Sequence, residues 1–214
     1  MARYDYILWD WNGTLVDDLD ANIAIINSLL CQRGLPMLTK EHYRHIFKFP
    51  IIDFYRDAGF NVYGQDYEKL VSDYQVAYAV QKNNIDLMPN AEAVLRRING
   101  ASIKQIILTA SSYKAIEQQM SNYHIYPYFD AIVSQTNVYA CGKIDLARRW
   151  FSISRADPNR VLVIGDTLHD YEVAVAMNFD CLLISNGHQD LYNMRSEYSC
   201  KCLSDICQVL DHIG

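Results

Sequence analysis

Asp10 ends the apolar run Tyr4–Asp10, and Asn12-Gly13-Thr14 follows at once. Other apolar runs lead into polar groups in the same way. Lys104–Thr109 opens into Thr109-Ala110-Ser111-Ser112, and Val161–Gly165 opens into Gly165-Asp166-Thr167-Leu168-His169-Asp170. Gly142-Lys143 follows the run Asp130–Ser134 across a loop. In an open α/β sheet, groups at the carboxyl ends of strands converge on one rim. Three carboxylates gathered there, Asp10, Asp166 and Asp170, repel one another and need a cation, and hard oxygen donors suit Mg²⁺. A hydroxyl such as that of Thr109, opening a helix, suits a phosphate, because free N–H groups and the helix dipole favour an anion. Lys143 adds compact positive charge. These are the parts needed for phosphoryl transfer. Taken singly, each has a plainer use: a strand-ending aspartate caps a turn, and a helix lysine is often solvated. The ordered set is what is specific.

The elements that must position these groups follow from the apolar pattern. Tyr4–Asp10, Lys104–Thr109, Asp130–Ser134, Val161–Gly165 and Asp180–Ser185 are short, β-branched runs with turn-like flanks and read as buried strands. Helical patterns lie between the later ones: Ala91–Ile98, Tyr113–Asn122, Lys143–Phe151 and Asp170–Met177. Such alternation predicts a doubly wound parallel sheet of Rossmann-like α/β type. The rhythm breaks after the first strand. Asp20–Arg33, Thr39–Phe47, Ile51–Ala58 and Tyr67–Asn83 all read as helices, with Gly34 as a stop signal. The expectation is an α/β core formed by residues 1–16 and 88–214, with an inserted α-helical cap over 17–87. Its joints fall at Leu15–Asp18 and Ile85–Pro89. Most of the sixteen tyrosines read as packing residues on amphipathic helices.

Composition narrows the function classes. A net charge of −6 over 214 residues argues against a general nucleic-acid binder, which would carry a basic face. Half the residues are hydrophobic, which argues against wholesale disorder. No apolar run is long enough to span a membrane, and Asp5, Asp10 and Asp17 interrupt the N-terminal segment, so a cytoplasmic protein is expected. Six scattered cysteines read as reduced thiols, and the Cys200, Cys202 and Cys207 spacing fits no standard zinc pattern.

Together, "DWNGTLVDD", "ILTASS", "CGKIDLA" and "VIGDTLHD" resemble the four motifs of haloacid dehalogenase-like hydrolases. The helical insert resembles the branch of phosphoglycolate phosphatase and β-phosphoglucomutase. The resemblance covers nearly the whole chain, and the first and fourth motifs are the most specific. It implies that Asp10 attacks phosphorus and carries an aspartyl-phosphate. It implies that Asp10, the backbone carbonyl of Asn12 and Asp166 hold Mg²⁺, with Asp170 supporting that site directly or through water. Thr109 and the Ala110 N–H would bind phosphate oxygens, Lys143 would neutralise charge, and the cap would close over a small phosphorylated metabolite. Monomer and homodimer both fit.

The departure lies at Asn12, where phosphatases of this family usually carry a second aspartate. That aspartate protonates the leaving oxygen and then activates water. Asparagine cannot exchange a proton at neutral pH. The resulting expectation is a slow phosphatase that favours good leaving groups, aryl or acyl phosphates. His169 and His188 are candidate stand-in acids. "DWNGT" also resembles the "DWAGT" type of motif in phosphonoacetaldehyde hydrolases, which use a cap lysine; Lys48 is a candidate. A third reading is a phosphate-binding or regulatory protein without turnover. His45, Lys48, Phe49 and Arg56 are candidate substrate selectors in the cap.

Overall fold

Each apolar run becomes a strand because both of its faces are covered. The computed structural model describes residues 2–81, 84–135 and 142–214. Asn83, the expected end of a cap helix, and Cys141 of the third motif lie outside these residues. The strands are β1 (Tyr6–Trp9), β2 (Lys104–Ser112), β3 (Ala131–Gln135), β4 (Val161–Gly165), β5 (Asp180–Ile184) and β6 (Lys201–Leu203). They form one parallel sheet in the order β3-β2-β1-β4-β5-β6. Ile7 and Trp9 of β1 face a core shared with Ile107, Ile164, Val94 and Leu95. Leu8 faces the opposite core with Leu108, Val163, Leu146 and Trp150. Alternate residues therefore bury on opposite faces, the mark of a doubly wound sheet.

The helices are α1 (Leu19–Cys31), α2 (Lys40–Ile46), α3 (Ile51–Asp57), α4 (Gly64–Gln81), α5 (Ala91–Asn99), α6 (Tyr113–Tyr123), α7 (Lys143–Ser154) and α8 (Leu168–Met177). α5 and α6 cover one face of the sheet, and α7 and α8 cover the other. α1–α4 bury a cluster of their own, built on Ile25, Leu29, Tyr43, Phe54 and Leu70. Thr39 caps α2 by accepting a bond from the His42 N–H at 3.1 Å. The two segments that connect this helical group to the sheet run side by side. Val16 bridges Leu87, and the Met88 N–H donates to the Leu15 carbonyl at 2.8 Å.

Two sequence expectations are corrected. The sheet has a sixth strand among the described residues, β6, where five were expected. At three residues it is too short to show a period. The segment Thr109–Ser112 does not open a helix: β2 continues to Ser112 through an irregularity in its pairing with β3, and α6 begins at Tyr113. Thr109 is thus a strand residue, its hydroxyl accepting the Ser111 N–H at 3.1 Å.

A latch joins α2 to the loop after β5. The Arg44 guanidinium donates to the carbonyls of Ser185 (2.5 Å), Gly187 (3.0 Å) and Gln189 (3.1 Å). Gln189 answers by donating to the Phe47 carbonyl at 2.9 Å. Hydrogen bonds from a charged donor contribute about 1.5–3 kcal/mol each and are not additive. Arg44→Ala is expected to cost about 2–3 kcal/mol in urea unfolding and to speed amide exchange in residues 185–190. Unchanged stability and exchange would show that the latch holds nothing.

Candidate active site

β1 and β4 are neighbours at the point where the strand order reverses, and their carboxyl ends emerge together. Trp9 pairs with Ile164, and the Asp10 N–H donates to the Ile164 carbonyl at 2.8 Å. That register places Asp10 and Asp166 side by side. Asp170 joins them from the first turn of α8, where it forms a capping box with Thr167. Its Oδ2 accepts from the Thr167 N–H at 3.1 Å and the Thr167 hydroxyl at 2.7 Å. Oxygens of Asp10, Asp166 and Asp170 all lie within 4.8 Å of one another.

Lys143 is the counter-charge. It opens α7, it is buried, and its Nζ lies 2.6 Å from Asp10 Oδ1 and 2.5 Å from Asp170 Oδ1. Burial opposes its charge, but Asp10 and Asp170 outweigh burial and hold it protonated. One ammonium cannot balance three carboxylates. Burial pushes the Asp10 carboxyl up to about 6, against the pull of Lys143. Burial also pushes Asp166 up to about 7, and Asp10 and Asp170 add repulsion. These groups fit a bound divalent cation. They are all oxygen donors, closely spaced, and short of positive charge.

The surroundings of Asp166 leave no slack. Thr14 donates to its Oδ1 at 3.0 Å, and the His188 N–H donates to its Oδ2 at 2.6 Å. A methyl on Gly187 would sit 2.1 Å from that Oδ2. One on Gly13 would sit 2.4 Å from it, and Gly13 also holds φ +73°, a conformation that favours glycine.

Asn12 is tied down at both ends. Its Nδ2 donates to Asp18 Oδ2 (2.6 Å) and to the Tyr78 hydroxyl (2.8 Å), and its Oδ1 accepts from the Ser111 hydroxyl at 2.9 Å. Asp18 is fully buried and gathers more donors: the Gly13 N–H at 2.9 Å, Asn22 Nδ2 at 2.7 Å and His188 Nε2 at 3.0 Å. Burial alone would raise the Asp18 carboxyl, yet His188 and these donors hold it below the usual value. Burial likewise opposes charge on His188, but Asp18 outweighs it and raises the imidazole to about 8. The Tyr43 hydroxyl meets His188 Nδ1 at 3.1 Å.

The structure thus brings Asp10, Asn12, Thr109, Ala110, Lys143 and Asp166 to one cavity of about 690 Å³, with Asp170 directly behind Lys143. His169 and His188 line it too. Of the expected selectors, Phe49 lines the cavity. His45 is exposed, Lys48 pairs with Asp57, and Arg56 pairs with Asp53, so these three are not among its lining residues. Asp18 was not singled out by sequence. It lies 170 positions from His188, and no local pattern signals that pairing.

A family model described as haloacid dehalogenase-like hydrolase matches residues 7–184. Among curated relatives, the tyrosine-protein kinase PtkA of Mycobacterium tuberculosis is 21% identical over 184 residues, which are 85% of this chain. The chain spans 62% of that relative's own length. The phosphoglycolate phosphatase of Synechococcus elongatus is 22% identical over 188 residues, covering 86% of this chain and 85% of that one. A solved haloacid dehalogenase-like family hydrolase from Streptococcus pneumoniae superposes with a TM-score of 0.83 at 19% identity, covering 98% of each chain.

Removing one partner of a buried ion pair costs about 3–5 kcal/mol, because the other charge stays buried alone. Lys143→Met is therefore expected to lose about that much stability in urea unfolding without divalent cations. A loss within error of zero would mean the carboxylates do not depend on Lys143.

Proposed function

The chain belongs to the haloacid dehalogenase-like hydrolase family, and we propose that it is a Mg²⁺-dependent phosphatase acting on a small phosphate monoester through Asp10. The single observation that carries this reading is the close-packed group of Asp10, Asp166 and Asp170, with Lys143 bonded to two of them. Asp10, Asp166 and the Asn12 backbone carbonyl would hold the metal, with Asp170 behind them. The bound ion would supply positive charge that offsets the carboxylates and the phosphate.

The protein's own groups do the rest. An Asp10 oxygen attacks phosphorus as the bond from phosphorus to the leaving oxygen breaks, giving an aspartyl-phosphate and an alkoxide or phenoxide. Water then attacks phosphorus, releases inorganic phosphate and restores the Asp10 carboxylate. Lys143 offsets charge on Asp10. Thr109 and Ala110 line the cavity where phosphate oxygens would lie.

The first step lacks a proton donor at position 12. The Asn12 amide is committed to Asp18, Tyr78 and Ser111 and has no proton to give. General acid help is typically worth about 10²–10⁴-fold. A phenol ionises near the tyrosine value of about 10, so its anion leaves unaided more readily than an alkoxide. A phosphonoacetaldehyde hydrolase reading gains nothing from Lys48, which is ion-paired at the surface.

The neighbourhood of Asn12 also governs how its replacement behaves. An aspartate at position 12 would set a second carboxylate against Asp18, across the 2.6 Å now spanned by an amide hydrogen bond. Asn12→Asp alone is therefore expected to rescue little, whereas Asn12→Asp combined with Asp18→Asn provides both an acid and a partner for it.

In steady-state assays with Mg²⁺, wild type is expected to hydrolyse phenyl phosphate above an Asp10→Asn baseline. Ethyl phosphate should be slower by about 10²–10⁴-fold, and the double variant should narrow that gap. Equal rates on the two esters would remove the leaving-group argument, and no Asp10-dependent turnover at all would favour a phosphate-binding protein. In a separate melt, Mg²⁺ at 100 times its Kd should add about 2.7 kcal/mol of stability. Asp166→Asn should abolish most of that gain; a full gain in the variant would place the ion elsewhere.

A further inference from the structure

The wall that the helices α1–α4 contribute to the cavity differs in kind from the floor. The floor is charged. The wall holds Phe47, Phe49 and Phe54, with Tyr74 and Tyr78 of α4 opposite. The Phe47 and Phe49 rings stand edge to face with centroids 5.7 Å apart, and Tyr74 and Tyr78 stack at 6.0 Å. The polar ends of this wall are already used. The Tyr43 hydroxyl is bonded to His188, the Tyr74 hydroxyl to Asn22, and the Tyr78 hydroxyl to Asn12 and Asp18. What remains facing the space is mostly ring and aliphatic surface, with the Gln75 amide and the Tyr55 hydroxyl beside it.

Charge is missing from the same wall. Among the described residues that line it, Asp18 is the one ionisable carboxylate and it is paired with His188; no lysine or arginine appears. A second anionic group on a substrate would meet no lysine or arginine on this wall, and the imidazoles beside it, His188 and His169, are already bonded to Asp18 and Glu172, so its desolvation is costly. A hydroxylated sugar would find the Tyr43, Tyr74 and Tyr78 hydroxyls already committed, leaving it chiefly Gln75 and Tyr55. A flat, uncharged ring would lose nothing and would stack on Phe and Tyr faces.

We propose that the natural substrate is a phosphate monoester whose remaining part is an uncharged aromatic body, held by the Phe47–Phe49 and Tyr74–Tyr78 faces while its phosphate meets Asp10 and Lys143. The proposal rests on the phosphatase reading and adds the substrate class to it. It concerns binding, whereas the deficit at Asn12 concerns the rate of bond breaking. Both arrive at an ester of a phenol-like alcohol. The volume of about 690 Å³ is in the range of sites that enclose ligands of several rings.

The test uses phosphonates, which bind without turnover. With Mg²⁺ present, titration calorimetry on the wild-type protein compares 2-naphthylmethylphosphonate, methylphosphonate and phosphonoacetate. Burial of one ring system predicts about tenfold or greater preference for the naphthyl compound over methylphosphonate, and phosphonoacetate should bind no better than methylphosphonate. Phe49→Ala, at a partly exposed position, should weaken the naphthyl compound several-fold and leave methylphosphonate unchanged. Val71→Lys, which puts a charge on the wall, should shift preference toward phosphonoacetate.

Equal affinity for naphthyl and methyl compounds, or wild-type preference for phosphonoacetate, overturns the aromatic-substrate proposal. If Asp10-dependent hydrolysis of phenyl phosphate persists in that case, the phosphatase reading stands alone. If no phosphonate binds and no hydrolysis depends on Asp10, the phosphatase reading falls, and this proposal with it.

Discussion

Three carboxylates brought within 4.8 Å of one another, in a place water barely reaches, form the constraint around which the rest is arranged. Like charges at such range cannot all remain ionised in a poorly hydrated site without compensation. Lys143 enters from α7 to bond two of them, Thr14 and the His188 N–H fix both oxygens of Asp166, and Thr167 fixes the second oxygen of Asp170. Glycines occupy 13 and 187 because any side chain there would collide with Asp166. The register of β1 on β4 makes the gathering unavoidable, since consecutive residues after paired strand ends must emerge together.

Around this charged centre lies a second, neutral one. Asp18 and His188 form an ion pair that meets Asn12 through Asp18 and reaches Asp166 through the His188 N–H. The asparagine is then the natural occupant of its position. It can donate to Asp18 and accept from Ser111 at once, which a carboxylate in contact with another carboxylate cannot do. What looked in the sequence like a deletion of function at one position is, in the folded chain, half of a complementary pair.

The parts legible in sequence are those set by local burial. β1 and β4 are continuous apolar runs because both faces of each strand are covered, and Asp10 and Asp166 stand out by ending them. Lys143 was legible because Gly142 precedes it at a helix start. Thr109 ends an expected strand run and lines the cavity, but the strand runs three residues further than the sequence indicated, to Ser112. β6 escaped because three residues beginning with an exposed lysine show no period. The Asp18–His188 pair escaped for a different reason: two residues so far apart in the chain meet only through the docking of helices against the sheet, and neither the aspartate nor the histidine has a neighbour that announces the other.

The loop of residues 185–190 serves both centres and the helical wall. Its His188 N–H orients Asp166, its His188 ring pairs with Asp18, and its carbonyls hold Arg44 of α2. One short stretch of backbone is thus a common beam for parts that belong to different layers. Anything that displaces α2 pulls on the same peptide units that aim the buried Asp166 carboxylate, and anything that settles that carboxylate steadies α2 in return, since such coupling is reciprocal. The order of the carboxylate centre and the seating of α2 are thus set by the same six residues.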